Sequence, residues 1–123
     1  MAFFRSRSHA GVSALVERMA IPVDVDISVE RTSPTVGATA YYIVAEALTN
    51  VAKHAHARSA AVCARLDDGT LQVEVRDDGV GGAKPDGTGL VGLSDRLAAH
   101  HGTLRVESPP DGGTVIAASI PVA

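Results

Sequence analysis

Apolar and polar positions follow two periods along this chain, and each change of period marks an element. Residues 11–19 place Val12, Leu15, Val16 and Met19 at helical spacing, which predicts a short helix. Residues 23–29 (VDVDISV) alternate strictly, apolar on odd positions, as a half-buried strand does. Residues 30–35 read as a loop in which Pro34 and Thr35 signal a helix start. The longest helical pattern, rich in Ala, runs from Val36 to about Ala57. Two strands, 60–66 and 71–77, flank Asp67-Asp68-Gly69-Thr70, a hairpin-turn sequence. After a glycine-rich stretch, 78–89, a second long helix runs from Leu90 to His101, with Leu90, Leu93, Leu97 and Ala98 on one face and Gly102 at its C-cap. Strands 103–107 and 114–120 close the chain. This order predicts an α/β (α+β) two-layer sandwich: one mixed, mostly antiparallel sheet with helices on one face.

Composition narrows the picture. A length of 123 residues fits one domain, and 46% apolar with 20% charged residues fits a folded one. Eleven Lys and Arg against fourteen Asp and Glu leave a net charge of −3, with no basic footprint for nucleic acid. The four aromatic residues, Phe3, Phe4, Tyr41 and Tyr42, all precede position 43, so the second half has no platform for stacked bases. No apolar run approaches the roughly 20 residues of a membrane span, and no signal peptide is read at residues 1–11. Cys63 is the single cysteine and is expected to be a small buried side chain in a reducing, cytoplasmic compartment.

Two regions carry candidate chemistry. On the long helix, Glu46, Asn50, Lys53 and His54 fall within an arc of about 100° at 3.6 residues per turn. A solvated face is the plain reading. Asn50 argues against it, because Asn is a poor mid-helix residue. A carboxylate and an amide oxygen one turn apart suit Mg²⁺, which takes few protein ligands. Lys53 adds a point charge for phosphate. His54 is either a donor to phosphate or a surface histidine. The second region is glycine-rich: six of the twelve glycines lie between Gly79 and Gly92. Asp77, at a strand end before Asp78-Gly79-Val80-Gly81, is either turn chemistry or an acceptor for an exocyclic amine such as adenine N6, with Gly81 allowing close backbone approach. Gly87-Thr88-Gly89-Leu90 opens a helix whose free amides suit phosphate, or is a flexible loop and an ordinary helix start.

Residues 87–92 also spell G-x-G-x-x-G, with Glu107 twenty positions after Gly87. No strand runs into the first glycine, so the dinucleotide-binding context is missing. His54, His56, His100, His101 and Cys63 do not make a zinc spacing.

Taken in order, EALTNVAKHA, DDGVGG, GTGLVGL and the GGT before the closing strand resemble the GHKL ATPase superfamily. More narrowly they look like the catalytic ATP-binding domain of bacterial two-component sensor histidine kinases, of the nitrate-sensor type. The resemblance covers roughly residues 21–121, and implies a histidine kinase-like ATPase domain over 21–123 with residues 1–20 as an N-terminal linker or short helix. It implies a Bergerat-type fold with ATP and Mg²⁺ between the long helix and the glycine loops. Asn50 would coordinate Mg²⁺, and Glu46, the catalytic candidate, would position the attacking group or a metal-bound water. Lys53 and His54 would face the phosphates. Asp77 would accept from adenine N6, with Gly79 and Gly81 shaping the base pocket and Thr114 supporting that network. Gly87, Thr88, Gly89 and Leu90 would bind phosphate through the backbone.

The family's phosphoacceptor histidine sits in a dimerisation helix. His9, within Ser8-His9-Ala10, lacks that context. The chain is therefore expected to be a catalytic domain apart from its substrate histidine, either excised or a fragment beginning in a linker. Its expected partners are ATP, a dimerisation and phosphoacceptor domain, and indirectly a response regulator, with no nucleic acid and no direct membrane contact. Two alternatives stay open: an anti-sigma-factor-type serine kinase, against which GLVGLSDRL argues, and a non-catalytic nucleotide-binding module. A lid as short as Gly82 to Asp86 implies an open phosphate site, with adenine held better than the γ-phosphate. Tyr41 and Tyr42 are the remaining candidates for an aromatic contact to the base.

Overall fold

A computed structural model describes residues 7–29, 32–80, 88–109 and 112–122. The first helix, α1 (Arg7–Glu17), leads into strand β1 (Val23–Ser28). Helix α2 (Pro34–Asn50) follows, then strands β2 (Ala60–Asp67) and β3 (Thr70–Asp77), helix α3 (Thr88–Ala98), and strands β4 (Thr103–Glu107) and β5 (Thr114–Pro121). The sheet order is β1-β2-β3-β5-β4. β1 runs parallel to β2 and the other pairings are antiparallel, so the sheet is mixed and mostly antiparallel. The β2–β3 hairpin turns on Asp68 (φ 51°) and Gly69 (φ 76°), the pair of positive φ angles that a tight two-residue turn requires.

Period-two alternation gives the sheet two faces. Val62, Ala64, Leu71, Val73, Val75, Ile116, Ala118 and Ile120 are buried in one core with Ile43, Val44, Ala47 and Leu48 of α2, Leu93 and Leu97 of α3, and Val12 of α1. The other face is polar: Arg76 pairs with Glu74 at 2.7 Å, and Arg105 with Glu107 at 2.8 Å. Glu107 is thus held in a surface ion pair. Cys63 pairs in register with Glu74, and so lies on this polar face. The expectation of a buried core cysteine is corrected, because alternation turns it away from the core and leaves it half-buried. Partial desolvation pushes its thiol pKa up. β1 is an edge strand, and its outer position leaves Val25 40% exposed despite the strict alternation.

Both long helices depart from their sequence reading at the C-terminal end. α2 starts as expected: Ser33 caps it by accepting from the Val36 N–H at 3.2 Å, and Pro34 occupies the first turn. Regular α-helix stops at Asn50, however, and Val51–Ala55 form a single π-helical turn closed by His56 in the left-handed region (φ 49°). α3 covers 88–98 rather than 90–101. His101 takes the left-handed position (φ 59°), and the Gly102 N–H donates to the Leu97 carbonyl at 2.8 Å. Gly102 serves close packing instead, since a Cβ there would lie 2.8 Å from the Ser119 carbonyl oxygen.

The tyrosines join helices. The Tyr41 ring packs against α1, where a Cβ at Gly11 would come within 2.7 Å of it. Tyr42 meets α3, with Arg96 Cζ 4.5 Å from its ring centroid. Both side chains are therefore engaged in packing between helices, the use expected for at least one of them, rather than offered to a base. Tyr42 meets Arg96 while Thr39 Oγ1 lies 3.0 Å from His100 Nε2. Moving forward along α2 thus moves backward along α3. The two helices run antiparallel, and α3 begins beside the C-terminal half of α2.

Candidate functional site

That antiparallel arrangement brings α3's start toward Glu46 and Asn50. Both side chains are half-buried and stand one turn apart on α2. Asn50 has ordinary helical angles (φ −61°, ψ −43°), and its side chain caps nothing. Its amide is thus not used by the backbone around it. A carboxylate and an amide oxygen at this spacing fit Mg²⁺, which completes its shell with water and phosphate oxygens. Among the described residues no group of three or more His, Cys, Asp or Glu gathers as a metal cluster.

The π turn alters the predicted stripe. The arc of about 100° assumes 3.6 residues per turn, and that spacing ends at Asn50. Glu46 and Asn50 share a face, whereas Lys53 lies exposed in the wider turn. The His54 backbone belongs to the same turn, and its side chain lies outside the described residues. Gly81 and Gly87 also lie outside them, as does the lid, residues 82–86. Thr88, Gly89 and Leu90 form the first turn of α3, with side chains outside the described set. The amide donors of that turn have no partners within the helix.

Asp77 ends β3 on the core-facing side, in register with Ala60 of β2 and Thr114 of β5. Its Oδ1 accepts the Gly79 N–H at 2.8 Å, and its carboxylate also accepts the backbone N–H of Thr114. Burial pushes its pKa above the ordinary aspartate value, and neighbouring Asp78 adds to the rise. The two N–H donors pull in the opposite direction. A half-buried carboxylate held by two backbone donors is a fixed acceptor for a ligand N–H. Thr114 is buried, and its Oγ1 lies 2.6 Å from Ser108 Oγ.

Two residues beside the site escape the sequence reading. Asp78 accepts the N–H groups of Arg58 (2.8 Å) and Ser59 (3.0 Å) and the Ser59 hydroxyl (2.9 Å). It latches the segment after the π turn to the end of β3, and so ties the α2 limb of the site to the Asp77 limb. In the sequence it reads only as the second Asp of a turn. These bonds lower its pKa. The latch is then present above the ordinary aspartate range and is lost as pH falls through the lowered value. Asp78→Ala is expected to speed hydrogen exchange at the Arg58 and Ser59 amides at pH 7, while the Val73 amide keeps its protection.

Gly113 is the other. Its φ is +78°, and a Cβ there would lie 2.4 Å from the Asp77 carbonyl oxygen. Only glycine allows β5 to start so close to Asp77. Gly113→Ala is expected to cost of order 1–3 kcal/mol from the left-handed backbone alone, before the overlap is counted. A thermal melt of the ligand-free protein, falling by several degrees, checks this. The GGT sequence was the available signal, but it does not say which glycine bears the constraint.

Known proteins match this arrangement. Residues 35–123 match the family described as histidine kinase-, DNA gyrase B-, and HSP90-like ATPase. The chain is similar to the sensor histidine kinase YxjM of Bacillus subtilis (strain 168), 35% identical over 129 residues, covering 96% of this chain and 32% of that protein. It is 31% identical over 102 residues to the oxygen sensor histidine kinase NreB of Staphylococcus carnosus (strain TM300), covering 79% of this chain and 29% of that one. The chain thus spans about a third of the length of these curated relatives. Among solved structures, the Erythrobacter litoralis EL346 blue-light activated histidine kinase superposes with a TM-score of 0.77 at 26% identity, over 93% of this chain and 40% of that one.

Proposed function

The chain belongs to the family of histidine kinase-, DNA gyrase B- and HSP90-like ATPases, and on that premise we propose that it is the ATP-binding catalytic domain of a sensor histidine kinase. It binds ATP with Mg²⁺ and donates the γ-phosphate to a histidine on a separate dimerisation domain, from which a response regulator takes it. Residues 21–123 form this domain, with 1–20 as the linker or short helix before it, and its compartment is the cytoplasm. No helix among the described residues is long and apolar enough to cross a membrane.

The observation that carries this reading is Asp77: a half-buried carboxylate, fixed by Gly79 and Thr114, at the end of the central strand β3 and in register with Ala60, which packs with Val51 just past α2. Its role is to accept from adenine N6, with Gly79 and Gly81 shaping the base pocket and Thr114 steadying the carboxylate. Asn50 is the metal ligand, and Mg²⁺ when bound neutralises phosphate charge. Lys53 and His54 face the phosphates. Gly87, Thr88, Gly89 and Leu90 offer backbone donors at α3's start. Glu46 orients the attacking group. The acceptor imidazole is itself the nucleophile: its nitrogen forms the bond to phosphorus as the bond to ADP breaks, so this chain's residues act by positioning and charge neutralisation.

Isothermal titration with ATP and with GTP, each with Mg²⁺, tests the reading. ATP is expected to bind, with GTP at least about tenfold weaker because guanine presents a carbonyl where adenine presents an amine to Asp77. Equal affinity for the two would remove the proposed role of Asp77.

A further inference from the structure

Tyr42 joins α2 to α3 at two places, Gly92 one turn from where α3 begins and Arg96 in the last turn of α3. Tyr42 lies four residues before Glu46 and eight before Asn50, on the same α2 face. Its ring carries the Arg96 guanidinium, 4.5 Å from the centroid. Its hydroxyl lies against Gly92, where an added Cβ would stand 3.3 Å from the oxygen. Gly92 is four residues, about 6 Å along the axis, from Thr88, the first residue of α3. A second polar tie among the described residues, Thr39 to His100, lies beyond the opposite end of α3. Tyr42 is half-buried, with its ring packed against the rim of the core, and Arg96 is exposed.

Resting on the ATP reading above, we infer that Tyr42 and Arg96 are positioning residues for phosphate binding. The phenol ring is a spacer that sets the height of α3 over α2, and the stacked guanidinium holds α3 against it. A methyl group at Gly92 would stand 3.3 Å from the phenol oxygen, so α3 and the ring must part by a few tenths of an ångström. The consequence falls on the α3 amides and on Asn50, which must meet one triphosphate from two different helices. It does not fall on Asp77, which is fixed from the sheet. The contact therefore governs affinity for the phosphates and leaves the base alone.

The test compares the affinities of Mg²⁺·ATP and adenosine in the full chain by calorimetry. Gly92→Ala is expected to weaken Mg²⁺·ATP about tenfold, since a few tenths of an ångström at a multi-donor site is amplified, while adenosine affinity stays at the wild-type value. Ala is the better helix former, so the variant is expected to fold with an unchanged melting temperature. Arg96→Met is expected to show the same selective loss, and Arg96→Lys, which keeps a cation over the ring, a smaller one. The double variant Gly92→Ala/Tyr42→Phe removes the hydroxyl that the new methyl group meets. It is expected to recover Mg²⁺·ATP binding to within about threefold of wild type. An unchanged ratio of the two affinities in Gly92→Ala, an equal loss of both ligands, or no recovery in the double variant would overturn the spacer role. A wild-type chain that binds neither ligand would overturn the ATP reading and the spacer role with it.

Discussion

Replacing Asp77 with Asn is expected to lower ATP affinity roughly 10- to 150-fold while leaving the ligand-free protein at least as stable at pH 7. The binding loss follows from donor arithmetic. The Asp77 carboxylate already accepts from the Gly79 and Thr114 N–H groups and keeps acceptor capacity for a ligand amine. An Asn amide has one acceptor oxygen. If that oxygen serves Gly79, its NH₂ faces the adenine amine; if it turns to the ligand, the NH₂ faces the backbone donors. Either way a donor meets a donor. The loss of a charge-assisted bond is worth about 1.5–3 kcal/mol, with tenfold in affinity for each 1.4 kcal/mol.

The stability half follows from the sign of the pKa shift. Burial, the largest cause, raises the Asp77 pKa above its unfolded value. The stability linked to that shift is complete below the unfolded value and is lost as pH rises through the folded one. At pH 7 the ionised carboxylate is therefore a cost to the empty protein, and Asn removes it. The melting temperature of Asp77→Asn is expected to equal or exceed that of wild type at pH 7, with the difference closing below pH of about 4. A residue kept only as a turn former would show the reverse: normal ATP affinity and, with the Asx turn disturbed, a lower melting temperature.

Asn50→Ala gives the second large effect. Its side chain caps nothing, and its backbone is ordinary helix. Ala at this position is expected to gain a few tenths of a kcal/mol in helix propensity, so the variant folds. What it loses is the metal-dependent part of ATP binding. Wild-type affinity for ATP is expected to fall at least about tenfold when Mg²⁺ is removed with EDTA, as a charged multi-oxygen ligand loses its bridge. In Asn50→Ala that ratio is expected to collapse to within about twofold, with adenosine bound normally. Persistence of the full Mg²⁺ dependence would move the metal site elsewhere.

Much of this architecture is legible in the sequence because strands and turns obey local rules. Asp68-Gly69 supplies both positive φ angles of the hairpin, and alternation alone places Leu71, Val73 and Val75 of β3 in the core. Helix ends resist such reading because they depend on hydrogen bonds and not on periodicity. The π turn after Asn50 leaves no pattern, so Lys53 reads as part of a stripe that has already ended. His101 takes a left-handed position usually given to glycine, while the adjacent Gly102 answers to Ser119 across the fold. Cys63 shows the same limit: an apolar run reveals a strand but not which side of it faces the helices.

The candidate site divides along the same line. Asp77 and Asn50 stand out because each is a residue type poorly suited to a purely local role at its position. Asp78, Gly113, Tyr42 and Arg96 matter through partners 19 to 54 positions away, among them Ser59 at 19 from Asp78 and Arg96 at 54 from Tyr42. No single stretch of sequence contains those pairs.

The proposed reaction is transfer of phosphate to a histidine in another domain. The direct measurement incubates this chain with γ-labelled ATP, Mg²⁺ and a separately supplied phosphoacceptor domain of a sensor histidine kinase, then follows label on the acceptor before and after acid. Label that requires this chain, disappears with Asp77→Asn and is released by acid is the predicted result, because phosphohistidine is acid-labile. Acid-stable label on a serine, or tight ATP binding with no transfer to any supplied acceptor, would contradict it.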